Sequence, residues 1–87
     1  MKIHTIKNLI RKDVPIYYRR VFSGTLIIEL MTDTVECNID FTVETKPTGS
    51  KEVIIDQMDK VDYPLLPLKK EIKKFIISLD KTGGLPG

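Results

Sequence analysis

Between Thr34 and Glu44 the chain alternates without a miss. Val35, Cys37, Ile39, Phe41 and Val43 interleave with Thr34, Glu36, Asn38, Asp40, Thr42 and Glu44. A period of two over eleven residues specifies a strand with one dry and one wet face. The dry face needs a second layer to cover it. With 87 residues in all, there is material for one domain, 1–87, with a single small core.

The covering layer comes from the end of the chain. Leu65, Leu68, Ile72, Phe75, Ile76 and Leu79 fall within roughly 100° on a helical wheel. Asp62 is placed to cap this helix, and Pro64 and Pro67 suit its first turn. Gly83 or Gly84 supplies a left-handed stop with Leu85 folding back, and residues 83–87 are expected as a flexible tail.

Further strands are expected over residues 14–22, 25–31 and 52–57, separated by Ser23-Gly24, Thr32-Asp33 and Lys46-Pro47-Thr48-Gly49-Ser50, all turn-rich combinations. Parity requires a three-residue loop at Ser23-Gly24, with Gly24 at positive φ, Phe22 facing Leu26 and Tyr18 facing Leu30. A two-residue turn at Thr32-Asp33 pairs Leu30 with Val35 and Ile28 with Cys37. On the wet face this register sets Arg19 beside Glu29, Val21 beside Ile27, Tyr17 beside Met31, and Glu29 opposite Glu36.

Residues 3–12 read as a short amphipathic helix from the spacing of Ile3, Ile6 and Ile10, with a lead-in strand as the alternative. The expected fold is therefore α+β in two layers. A four-stranded antiparallel meander is covered by a C-terminal amphipathic helix, with a short helix at the N-terminus.

The sequence offers little for catalysis. His4 is the only histidine and has no carboxylate near it in sequence. Cys37, the only cysteine, lies on the buried parity, where a thiol is a poor nucleophile. Glu36, Asp40 and Glu44 are spaced four apart on one strand, about 14 Å per step, too far for paired acid-base work. No metal-ligand spacing and no glycine-rich phosphate loop is present. We expect a non-enzyme without metal or cofactor. A single cysteine and the lack of a secretory signal or long apolar run suggest the cytoplasm.

Charge is unevenly spread. The net +2 resolves into +5 over residues 1–20, −5 over 21–60 and +2 over 61–87. An acidic middle between basic ends invites a protein partner or a homodimer. The expected contact residues are Tyr17, Arg19, Val21, Ile27, Glu29 and Met31 on the outer sheet face. Ile77 joins them because it lies off the helix's apolar stripe. Neither a membrane nor a small-molecule ligand is indicated.

The alternative partner is nucleic acid. The run Lys69-Lys70-Glu71-Ile72-Lys73-Lys74 resembles the lysine-rich start of the second helix in double-stranded-RNA-binding domains. That resemblance implies phosphate contacts from Lys69, Lys70, Lys73 and Lys74, to which Arg11 and Lys12 would add. Those domains have three strands and a long loop between the first two, where four strands and a short Ser23-Gly24 turn are expected here.

Overall fold

A computed structural model of the chain describes residues 1–86. Four strands, β1 (Lys2–Lys12), β2 (Arg19–Glu29), β3 (Thr34–Thr45) and β4 (Lys51–Met58), precede one helix, α1 (Leu65–Lys81). The strands form one antiparallel sheet in the order β1-β2-β3-β4. The α+β meander with its C-terminal helix is thus present.

The expected N-terminal helix is not: residues 2–12 are an edge strand. Its isoleucine spacing has a local cause. Pairing with β2 slips between Ile3 and Thr5 and again between Lys7 and Ile10. Each slip adds a residue to β1, so inward side chains recur at Ile3, Ile6 and Leu9 rather than every second residue. All three pack against the core. A twice-bulged strand imitates the helical interval.

Asn8 sits in the second bulge at φ 54°, in the left-handed region that asparagine tolerates and branched residues do not. Asn8→Val should cost about 1–2 kcal/mol, while Asn8→Gly should stay within about 1 kcal/mol of the parent. Urea denaturation at neutral pH checks this. Equal losses in both variants would assign the role to the asparagine side chain instead.

The second correction concerns Ser23-Gly24. There is no turn: β2 runs straight through both residues, with Ser23 opposite Asp40 and Gly24 opposite Ile39. Gly24 is not among the glycines at positive φ. The expected Phe22–Leu26 and Tyr18–Leu30 pairs do not form, because residues 13–18 are the connection between β1 and β2. Gly24 faces the Asn8–Leu9 bulge, and a Cβ there would lie 2.6 Å from Ile6 Cγ2 and 3.2 Å from Leu9 Cδ1.

The β2–β3 turn is longer than expected. Glu29 pairs with Thr34, and Ile28, not Leu30, faces Val35. The loop closes with the Leu30 amide donating to the Asp33 carbonyl at 2.7 Å. The shift is two residues, so the faces keep their expected sides.

The inner face carries Phe22, Leu26, Ile28, Cys37, Ile39, Phe41, Val43 and Val53, all buried with Leu68, Ile72 and Ile76 of α1. Phe22 and Phe41, paired across β2 and β3, stack with centroids 5.2 Å apart. The helix buries a narrower stripe than its wheel suggests, since Leu65 is half exposed. Pro64, not Asp62, is the N-cap, and it makes no side-chain cap bond. The other end is well closed. Gly83 has φ 76°, its amide donates to the Asp80 carbonyl, and the Gly84 amide donates to that of Leu79. This pair of bonds is the Schellman arrangement, and Leu85 folds back into the core beyond it. Gly87, the last residue of the expected tail, lies outside the described residues.

Candidate functional site

The outer sheet face is polar because its charges pair across strands. Lys7 meets Glu36 at 2.9 Å, Lys12 meets Asp40 at 3.6 Å, and Arg19 meets Glu44 at 3.3 Å. The Arg19 Nε is buried without an aligned hydrogen bond, so that contact is electrostatic in character. Ser23 donates to Asp40, Thr25 to Asn38 and Thr42 to Asp56. His4, without a carboxylate nearby in sequence, has Glu29 at 2.8 Å in space. Glu29 stands opposite Thr34 rather than beside Arg19, and Glu36 stands opposite Ile27. The expected facing pair of Glu29 and Glu36 therefore does not form. The carboxylates of the acidic third strand are thus paired within the chain, two of them by Lys7 and Lys12 of the basic first strand.

The seven expected contact residues do not make one surface. Arg19, Val21, Ile27 and Glu29 share the outer face of β2, where Val21 and Ile27 are half-buried. Tyr17 and Met31, 96% and 99% exposed, sit beyond opposite ends of that strand. Ile77 lies in the other layer, packed against the core and beside the start of β4.

What the sequence reading missed is the cluster at the Tyr17 end. Val14, Ile16, Tyr17 and Tyr18 are all exposed, with the two tyrosine rings edge-to-face at 5.8 Å. The loop is held, because the Thr45 amide donates to the Tyr18 carbonyl at 2.9 Å and the Arg19 amide to that of Ile16 at 3.2 Å. Beside it lies a concavity of about 510 Å³ lined by Tyr17, Tyr18, Glu44, Thr45, Lys46 and Pro47. In a strand over 14–22, Val14, Ile16 and Tyr18 alternate onto one face with Phe22, and that expectation hid this tip. Pro15 was the available signal, since a residue without an amide hydrogen cannot sit inside a paired strand.

The lysines divide into two groups. Lys70, Lys73 and Lys74 line one groove with Lys51, whereas Lys69 is outside its lining and half-buried. Arg11 and Lys12 belong to β1, at the far edge of the sheet. The resemblance to double-stranded-RNA-binding domains is confined to the lysine run, since the chain begins with a strand and ends its four-stranded meander in the only helix of the described residues.

Cys37 is fully buried and donates weakly to the Asp59 carbonyl at 3.5 Å. Burial, then the Asp59 charge, pushes its thiol above the usual range, away from the reactive thiolate. No group of three or more histidine, cysteine, aspartate or glutamate side chains could hold a metal ion among the described residues. No helix of the described residues is long and apolar enough to cross a membrane.

Arg20 shares the parity of Phe22 in β2, on the side that faces the core, and its partner explains it. It grips Asp80 of α1 in a bidentate pair at 3.0 and 2.9 Å, and Lys51 adds a third contact at 2.9 Å. Its partners are structural, so it belongs to the scaffold.

No curated protein and no solved structure matches the chain. Residues 1–81 match the model of the BB_0187 family.

Proposed function

We infer that this chain, which belongs to the BB_0187 family, works as a small non-catalytic interaction domain that docks a protein, either a separate partner or a second copy of itself. The observation that carries this reading is the aromatic tip. Tyrosine on an ordered loop contributes large contact area at little entropic cost. Tyr17 is 96% exposed on backbone fixed by two hydrogen bonds. We place the domain in the cytoplasm, which suits a lone cysteine used as a core residue.

Ile16→Ser with Tyr17→Ser changes only exposed side chains, so the variant should fold like the parent. A tagged pulldown from nuclease-treated native lysate, run beside light scattering over a tenfold dilution, separates the outcomes. The expected result is a nuclease-resistant partner, or a dimer, that the double variant loses by tenfold or more. A strict monomer whose nuclease-resistant partners are all kept by the variant would remove the tip from the reading.

A further inference from the structure

The two edges of the sheet are not alike. β1 is broken by two register slips, which blunt an edge against pairing. β4 has a single slip, between Ile55 and Gln57, and pairs with β3 in unbroken register from Lys51 to Ile55; no further strand covers its other side among the described residues. The row of α1 formed by Lys70, Lys73, Lys74, Ile77 and Ser78 runs beside that open edge. Strand and helix flank a wide, open groove of about 640 Å³.

Among the basic side chains that make no ion pair in the described residues, Lys70 and Lys73 lie in this groove. On β1, Lys7 and Lys12 meet carboxylates of β3. By contrast, Lys70 and Lys73 make no ion pair among the described residues, and Lys74 has only a loose contact to Glu71 at 3.7 Å. Lys51 contributes partial charge, being shared with Asp80. Glu52 is the one carboxylate in the lining, and Val53 and Ile77 give it apolar surface.

We propose that the groove between β4 and α1 binds an acidic peptide in extended conformation, which adds to the sheet as a fifth strand. Edge-strand backbone groups supply the main-chain hydrogen bonds of such an addition, and pockets for alternate side chains supply the selectivity. The dimensions agree. Alternate side chains of a strand recur about every 6.7 Å, and successive turns of a helix about every 5.4 Å. From Lys70 to Ser78 the helix advances about 12 Å, room for two acidic side chains against Lys70 and Lys73 or Lys74 and an apolar one against Ile77. A duplex nucleic acid needs a broader basic surface. Here Lys51, Lys70, Lys73 and Lys74 line the groove, Lys69 lies outside its lining, and Arg11 and Lys12 stand at the opposite edge. This site is distinct from the aromatic tip and stands if the tip's role fails.

The test uses the full chain and three probes: an acetylated, amidated peptide alternating glutamate and valine, the same peptide N-methylated on the amides of one edge, and a 16-base-pair RNA duplex. Binding is read by fluorescence anisotropy and by amide chemical shifts. The acidic peptide is expected to shift amides of residues 51–55 and 70–78. Its affinity should fall at least tenfold in Lys70→Glu/Lys73→Glu, whose altered side chains are exposed and not needed for folding. It should fall similarly on N-methylation. Tighter binding of the duplex than of the peptide would overturn the proposal, as would undiminished binding of the N-methylated peptide or no binding of the acidic peptide.

Discussion

Gly24→Val is expected to lower the stability of the domain by about 3 kcal/mol, the upper part of the range for overpacking a filled site. The sign is informative, because strand propensity alone argues the other way: valine in a strand interior is favoured over glycine by up to about 1 kcal/mol. Gly24 does not have positive φ, so backbone strain is not the cause. The cause is the neighbouring strand. The second bulge of β1 brings Ile6 and Leu9 over Gly24, and the first added carbon would already lie 2.6 Å from Ile6 Cγ2. Ile6 is branched at Cβ and has few rotamers to retreat into. Either β1 lifts off or the core beneath opens. Urea denaturation of Gly24→Ala and Gly24→Val should give a graded loss, and Ile6→Ala should restore part of it in the Gly24→Ala background, as expected for coupled neighbours. A Gly24→Val protein more stable than the parent would sink the explanation.

The second large effect is at Asp80. Its carboxylate is 7% exposed and is held by Arg20 and Lys51. Chiefly through the Arg20 hydrogen bonds, and then those of Lys51 against the opposing effect of burial, its pKa falls from 3.8 to about 2. A carboxylate whose pKa is lower folded than unfolded contributes stability that is fully present above the unfolded value. That contribution is lost as pH falls through the folded value. The shift corresponds to about 2 kcal/mol. Asp80→Asn should therefore cost about 2 kcal/mol near neutral pH, and the gap to the parent should shrink to a few tenths near pH 2. The pH dependence of the difference is the readout, since it isolates the one carboxylate that the two proteins do not share. A gap equal at pH 7 and pH 2 would mean that the pair contributes packing rather than charge. The position matters because Asp80 is in the last turn of α1, where a negative charge opposes the helix dipole. Arg20 and Lys51 reverse that penalty and fasten the end of the helix to β2 and β4.

The elements legible in the sequence are those whose pattern has one cause. β3 alternates because one face packs into the core and the other carries the polar side chains of the outer face, where Thr42 is buried and donates to Asp56. The end of α1 is legible because Gly83 and Leu85 fill a local motif. β1 is misread because bulges change the side-chain interval, and a bulge is visible only against a partner strand. β2 is misread at Ser23-Gly24 because a small polar residue before glycine suits a turn. The same pair suits a continuous strand when Ser23 must reach Asp40 and Gly24 must admit Ile6. The candidate contacts fare likewise. Tyr17 and Met31 are exposed, but they are not the neighbours the expected register made them, because eleven residues of strand lie between them.

Sequence alone determined the class of fold, the dry face of β3, the covering helix with its stop, and the placement of Cys37 in the core. Each follows from periodicity or from turn chemistry within a few residues. Tertiary structure decided which charges are spent and which remain. Lys7 and Lys12 of β1 find carboxylates across the sheet, Arg20 finds Asp80 sixty residues away, and Lys70 and Lys73 beside β4 find none among the described residues. Segment charges cannot reveal this, because ion pairing depends on distance in space and the sheet sets that distance by register.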